Sequence, residues 1–298
     1  MKKGGDLAAR LVVALVGIPT VLGVLWAGGW VLSSALALVA ILGAREFYTL
    51  ARLRGAEPFE VMGSAAAGGL VLLAGSEPVF EAFAARALWV FLAVGGASLA
   101  VALKTRWPHG SPLAAFTSTL GGVAYVGLPL AFVPLLRALG DGVVAEASSA
   151  LGGAFFVPMA FVLLPLLTTW AGDSAAYFVG RAVGRTKLAP AISPGKTVEG
   201  SLGGAVGAVV AAAAVAALWL ADLPVRAVPV SPAAGIGLGL AVVTQVGDLA
   251  ESVLKREAGV KDSGNLLPGH GGILDRLDAL LGAFPLTWLL LALVWELP

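Results

Sequence analysis

Residues 11–44 read LVVALVGIPTVLGVLWAGGWVLSSALALVAILGA, thirty-four consecutive positions without a charge. As a single helix the stretch would be about 51 Å long at about 1.5 Å per residue, against a hydrocarbon core of about 30 Å. It therefore reads as two short spans hinged at Gly28-Gly29. Working outward, further uncharged runs cover 61–76, 87–103, about 113–136, about 151–172, 200–221, about 233–247 and 279–295, which makes nine spans.

Lys and Arg gather in alternate loops of a membrane protein, on the cytoplasmic side. With nine spans and a cytoplasmic N-terminus, sixteen of the nineteen basic residues fall inside, and only Arg86, Arg137 and Arg226 fall outside. Reading residues 11–44 as one span would reverse every later loop and leave six inside. The expected fold is thus an all-α polytopic membrane protein with its C-terminus outside. Lys2, Lys3 and Arg10 ahead of an apolar stretch also suit a signal peptide, but Trp26 and the lack of an A-x-A site argue for retention.

Composition agrees. Of 298 residues 58% are apolar and 12% charged, whereas a soluble surface needs roughly 25–35% charged residues. A net charge of +1 gives no field for nucleic acid. With no cysteine, disulfides, thiolate catalysis and Cys-based metal sites are excluded. Forty glycines without a collagen period suit close helix packing in lipid, as do the pairs Gly203/Gly207 and Gly235/Gly239. Arg45 to Arg52 reads as a short interfacial helix between the second and third spans, with Phe47, Leu50 and Ala51 able to face lipid.

Polar residues near membrane depth are costly and carry information about function. Segments 173–199 and 248–278 hold sixteen of the thirty-seven charges, and both face the cytoplasm on this topology. The organisation expected is an N-terminal helical scaffold over 1–150 and, over 151–298, a membrane domain that carries both charged segments.

Spacing sharpens the second segment. If the eighth span continues as helix past Asp248, then Asp248, Glu251, Ser252 and Lys255 share one face. Asp275 and Asp278 are one turn apart at the start of the ninth span. Carboxylates in such an arrangement form an oxygen-rich site that suits Mg²⁺, which usually keeps substrate phosphates in its shell. The competing reading is a solvated loop with aspartate caps, and N-capping competes for Asp275 in particular. Against mere solvation, Pro268-Gly269-His270-Gly271-Gly272 delivers a rigid turn of backbone N–H groups just ahead of the acids.

Lys255, Arg256, Lys261 and Arg276 mix with these acids, as expected where a metal and a polyanion are held together. In the other segment, Ser193-Pro194-Gly195-Lys196-Thr197 precedes a helix N-terminus, a place that attracts phosphate; Thr197 as a simple cap is the alternative. Asp173 shares a helical face with Tyr177 and Arg181, and as a lone acid it competes as a partner of Arg181. His109 is given no role, and His270 is read either as part of the site or as a brace for the glycine turn. No G-x-S-x-G motif and no Walker A loop occur.

Ser252-Val253-Leu254-Lys255-Arg256, then Lys261-Asp262-Ser263-Gly264, then Leu267-Pro268-Gly269-His270-Gly271-Gly272-Ile273-Leu274-Asp275-Arg276-Leu277-Asp278 resembles the signature of the phosphatidate cytidylyltransferases, also called CDP-diacylglycerol synthases. The segment from Asp173 to Gly200 resembles the family's second ordered region, and the first 150 or so residues resemble it only in hydropathy. The resemblance implies that CTP and phosphatidic acid give CDP-diacylglycerol and pyrophosphate with Mg²⁺ required, and it leaves open a second, monovalent cation. It implies a homodimeric inner-membrane enzyme whose site opens to the cytoplasm. It maps metal ligands onto Asp248, Asp275 and Asp278, with Asp173 and Asp262 as further participants. One departure is Gly195, where related proteins often carry a second Lys. Two other classes compete: an ion-coupled transporter, which would place its acids near the midplane, and a CTP-dependent lipid kinase, which would release CDP.

Overall fold

A computed structural model describes residues 3–147, 156–266 and 271–296, with side chains from Leu15 onward. The described residues form ten α-helices. In order these are α1 (Lys3–Ala27), α2 (Gly29–Leu53), α3 (Glu60–Ser76), α4 (Phe80–Thr105), α5 (Pro112–Gly122), α6 (Leu128–Glu146), α7 (Phe156–Val183), α8 (Val198–Val215), α9 (Val230–Glu257) and α10 (Leu274–Val294). Single π-helical turns at Val123–Gly127 and Ala216–Leu220 continue α5 into α6 and extend α8. Among the described residues, seven helical runs are long and apolar enough to cross a membrane, and Leu15–Ala27 and Glu60–Ser76 are shorter apolar helices. The described parts of the runs expected from the sequence fall largely on these helices, residues 151–155 lying outside the described ones.

The expected hinge lies where the first long run breaks. α1 ends at Ala27 and α2 starts at Gly29, with φ of +60° at Gly28 and +48° at Gly29, a left-handed backbone that glycine adopts at little steric cost.

One feature differs from the sequence expectation and two extend it. Arg45 to Arg52 is no separate interfacial helix but the last two turns of α2. Leu50 is buried there rather than lipid-facing, and Tyr48 is fully buried, donating from its hydroxyl to the Thr119 carbonyl (2.8 Å). Second, segment 184–197 is not a plain turn. It carries an antiparallel hairpin of β1 (Lys187–Ala189) and β2 (Ser193–Thr197), with Lys187 opposite Thr197 and Ala189 opposite Ser193. Third, α9 does not stop at Asp248 but runs on to Glu257, so the condition for a shared face of Asp248, Glu251, Ser252 and Lys255 is met.

The chain divides into two compact units. One groups the chain up to Leu135 with Leu254–Leu277, and the other groups Leu136–Val253 with the chain from Asp278. In the first, α2 and α3 approach closely because Gly63 faces Tyr48 and Gly68 faces Ile41, where a side chain would collide. In the second, α7 and α8 are brought together by Gly203 against Val179 and Gly204 against Ala176, the small-residue packing that replaces hydrophobic drive between helices in lipid. Gly235 meets nothing within 4 Å and Gly239 faces Leu290 and Leu286.

Candidate active site

α7, the hairpin, α8 and α9 together line a cavity of about 560 Å³, within the range of small-molecule pockets. Its charged wall carries Asp173, Arg181, Lys196 and Asp248, with Tyr177, Ser193, Gly195 and Thr197 beside them. Elsewhere its wall is Gly172, Gly204, Ala208, Leu240 and other small or apolar residues, so the same glycines that let α7 and α8 approach also leave room between side chains.

The charged groups are held by local structure. Lys196 lies on β2, and its Nζ is 2.7 Å from Asp248 Oδ2 on α9. Ser252, one turn on, has its hydroxyl 3.5 Å from Asp248 Oδ1. Arg181 donates to the Tyr177 hydroxyl (3.0 Å) rather than to Asp173, which settles that helical face in favour of the tyrosine pair. Thr197 is the N-cap of α8, its Oγ1 accepting from the Gly200 N–H (3.1 Å). Glu199 in the first turn of α8 accepts from the backbone N–H groups of Arg185 and Thr186 (both 3.1 Å) and so ties the hairpin's entry to the helix start. The cap reading of Thr197 therefore holds, while the residue also lines the cavity.

Two polar groups on the wall were given no role by the sequence reading. Thr168 and Thr169 of α7 are both buried, line the cavity, and have no hydrogen-bond partner for their hydroxyls among the described residues. Orphaned buried hydroxyls are uncommon and call for a partner, and a ligand's oxygens would supply one. Their signal in the sequence is a polar pair inside an otherwise apolar run. Gln245 of α9 also lines the cavity and donates to Ser201.

Asp278 belongs to this second unit. Gly247 of α9 packs on the backbone of α10 at Asp278 and Ala279, where an added Cβ would lie 2.5 Å from the Asp278 carbonyl oxygen. Asp248 and Asp278 thus stand on two helices in close contact at the adjoining residue. The Asp278 Oδ1 accepts from the Ala279 N–H (2.7 Å).

Asp275 belongs to the first unit and has a different setting. Its Oδ1 takes the Lys255 ammonium at 2.7 Å, and its Oδ2 accepts from the Ser263 N–H (2.9 Å), the Gly272 N–H (2.8 Å) and the Ser263 hydroxyl (3.0 Å). The side chain is 4% exposed and that of Lys255 13%. The bond back to Gly272, three residues earlier, ties the first turn of α10 to the segment that leads into it. Glu46 of α2 joins the same cluster, accepting from Ser263, Ile273 and Leu274. Sequence reading missed it, because it lies 217 residues from Ser263 and no local spacing links the two.

The remaining expected residues are peripheral to these contacts. Arg256 donates to the Val260 carbonyl (3.2 Å), and Lys261, Asp262 and Arg276 are exposed. His270 lies outside the described residues. Among the described residues no three His, Asp or Glu side chains are grouped to hold a metal ion unaided. The donor chemistry nevertheless suits a hard divalent cation that shares its shell with a ligand: Asp173 and Asp248 present carboxylate oxygens to one cavity, with hydroxyls and no soft atom beside them.

A polytopic helical membrane protein with a cavity walled by two acids and two bases is the class that fold and site define. Residues 8–294 match the model of the cytidylyltransferase family, and the chain belongs to that family. It is 35% identical over 297 residues to a phosphatidate cytidylyltransferase of Synechocystis sp., covering 96% of each chain. It is 31% identical over 285 residues to one of Staphylococcus aureus, covering 95% of this chain and 98% of that protein. A Bacillus subtilis phosphatidate cytidylyltransferase is 52% identical over 124 residues, 42% of this chain and 44% of that one.

Proposed function

We propose that the protein is a phosphatidate cytidylyltransferase, transferring the cytidylyl group of CTP to phosphatidic acid to give CDP-diacylglycerol and pyrophosphate. The observation that carries this reading is the cavity in which Lys196 and Arg181 face Asp173 and Asp248, in a chain similar over its length to enzymes of that name. A phosphate oxygen of the lipid attacks the α-phosphorus of CTP, and the bond from that phosphorus to the β-phosphate oxygen breaks. The nucleophile is already an anion, so no activated Ser or Cys is required. What the reaction needs is relief of repulsion between two polyanions.

The protein's own groups meet that need in parts. Lys196 and Arg181 are placed to neutralise phosphate oxygens, and the pair with Asp248 fixes the Lys196 ammonium at the cavity wall. Thr168 and Thr169 offer hydroxyl donors to oxygens of a bound ligand. The resemblance assigns Mg²⁺ to Asp248, Asp275 and Asp278, and Asp173 and Asp248 fit such an ion on the cavity wall. When bound, a divalent ion there supplies charge neutralisation at the phosphates. A second, monovalent cation is a further part of the proposal. By the same resemblance Lys255, Arg256, Lys261 and Arg276 contribute positive charge for the triphosphate.

The distribution of Lys and Arg supports nine crossings with the N-terminus and the site toward the cytoplasm and the C-terminus outside, and the resemblance implies an inner membrane. A homodimer belongs to the same proposal. The test is incubation of detergent-purified protein with cytidine-labelled CTP, phosphatidic acid and Mg²⁺, with and without chelator. Label is expected to enter the lipid fraction with release of pyrophosphate, and chelator to stop it. Label remaining in the aqueous phase with every divalent ion tried overturns the activity, and release of CDP instead points to a kinase.

A further inference from the structure

Glu46 lies in the penultimate turn of α2, near residues read as a membrane anchor, yet its carboxylate is spent on the segment that carries Asp275. Oε1 accepts from the Ile273 N–H (3.0 Å), and Oε2 accepts from the Leu274 N–H (2.8 Å) and from the Ser263 hydroxyl (2.9 Å). Ile273 immediately precedes α10 and Leu274 opens it, where the first N–H groups have no partner within the helix. An anion there is also favoured by the helix dipole. The fit is close, because a Cβ at Gly264 would come within 2.5 Å of Glu46 Oε1, and one at Gly272 would collide with both Glu46 and Ser263.

The Ser263 hydroxyl links this grip to Asp275. Its oxygen is 2.9 Å from Glu46 Oε2 and 3.0 Å from Asp275 Oδ2, and it accepts from the Asp275 N–H at 3.3 Å. One hydroxyl proton thus serves two carboxylates, while the Ser263 and Gly272 N–H groups and Lys255 hold Asp275 from other directions. Glu46 therefore fixes both the backbone on which Asp275 stands and the serine that contacts it.

We propose that Glu46 is a positioning residue for the cytidylyl transfer: from α2 it holds the start of α10 and Ser263, and through them the Asp275 carboxylate, in working geometry. The role of that geometry in turnover rests on the proposed activity, whereas the grip itself does not. Two acceptor oxygens are essential to the arrangement. An amide at this position keeps one acceptor and turns an NH₂ donor toward a backbone N–H.

The test uses full-length protein in detergent, with kinetics of label transfer from CTP and hydrogen exchange followed by peptide. In E46Q, kcat is expected to fall about 10- to 100-fold, the scale on which small misplacements act, with KM for CTP within a few-fold because Lys196 and Arg181 on the cavity wall are untouched. Amides of Ile273 and Leu274 are expected to exchange faster, with peptides of α7 and α8 unchanged. E46D, which keeps both oxygens, should recover part of the lost rate. Unchanged exchange at Ile273 and Leu274 in folded E46Q overturns the grip, and wild-type kcat together with faster exchange overturns its part in turnover. If E46Q does not fold, E46D decides: a lower kcat at an unchanged melting temperature supports the role, and a rate that falls only in step with stability overturns it. Wild-type protein that transfers no label overturns the activity instead and leaves the exchange result to judge the grip.

Discussion

Asp248 and Asp275 are both acids near the cytoplasmic ends of helices by the sequence reading, and their surroundings differ. Asp248 has a side chain 37% exposed, one lysine at 2.7 Å and a cavity in front of it. Asp275 is 4% exposed and takes four donors, three of them from Ser263 and Gly272. The first is placed to meet something that enters. The second is bonded into the chain around it, so its loss disturbs a loop as well as any ligand.

Substitution separates the two. Asp248→Asn is expected to lower kcat about 10³-fold, the order associated with removing a preorganised charge at a phosphoryl centre, with little change in melting temperature. A rate within ten-fold of wild type, measured by label transfer to lipid, would show that the cavity acid is only a partner of Lys196. Asp275→Asn also removes activity on the proposed metal assignment, but it should cost about 3 kcal/mol of stability besides, since it leaves the partly buried Lys255 without its counter-charge and removes a buried carboxylate's bonds. Thermal unfolding in detergent reads this directly. Equal melting temperatures for the two variants would erase the distinction drawn between these acids.

What could be read from the sequence follows the range of the interactions. The hinge at Gly28-Gly29, the helical face from Asp248 to Lys255 and the Thr197 cap depend on neighbours within a few residues, and local pattern reveals them. The hairpin of Lys187–Ala189 and Ser193–Thr197 was not legible, because Ser193-Pro194-Gly195 has turn chemistry and no alternation over which a strand shows itself. Leu50 was expected to face lipid and is buried, and Tyr48 two residues earlier is buried because Gly63 and Gly122 make room for it. Glu46 was hidden most deeply, since its partners lie more than two hundred residues away.

Smaller effects probe the cavity side of the comparison. Thr197→Ala removes the cap of α8 and is expected to cost about 1 kcal/mol, seen as a lower melting temperature with kcat largely kept. A rise in KM or a fall in kcat out of proportion to that loss would mean that the hydroxyl meets substrate and does more than hold Gly200.

Gly195 gives the mildest test and separates the two regions by what each tolerates. On the cavity wall a Cβ at Gly195 meets nothing within 4 Å and its backbone needs no left-handed φ, whereas at Gly272 a Cβ would strike Glu46 and Ser263. Gly195→Lys is therefore expected to leave stability within about 0.5 kcal/mol of wild type. A further ammonium beside Lys196 should lower KM for CTP about two- to five-fold, the worth of one partly exposed ion pair, and more strongly at low salt. An unchanged KM in a fully stable variant would show that the β2 wall does not face the triphosphate. Loss of stability would show instead that this wall is as closely fitted as the loop around Asp275.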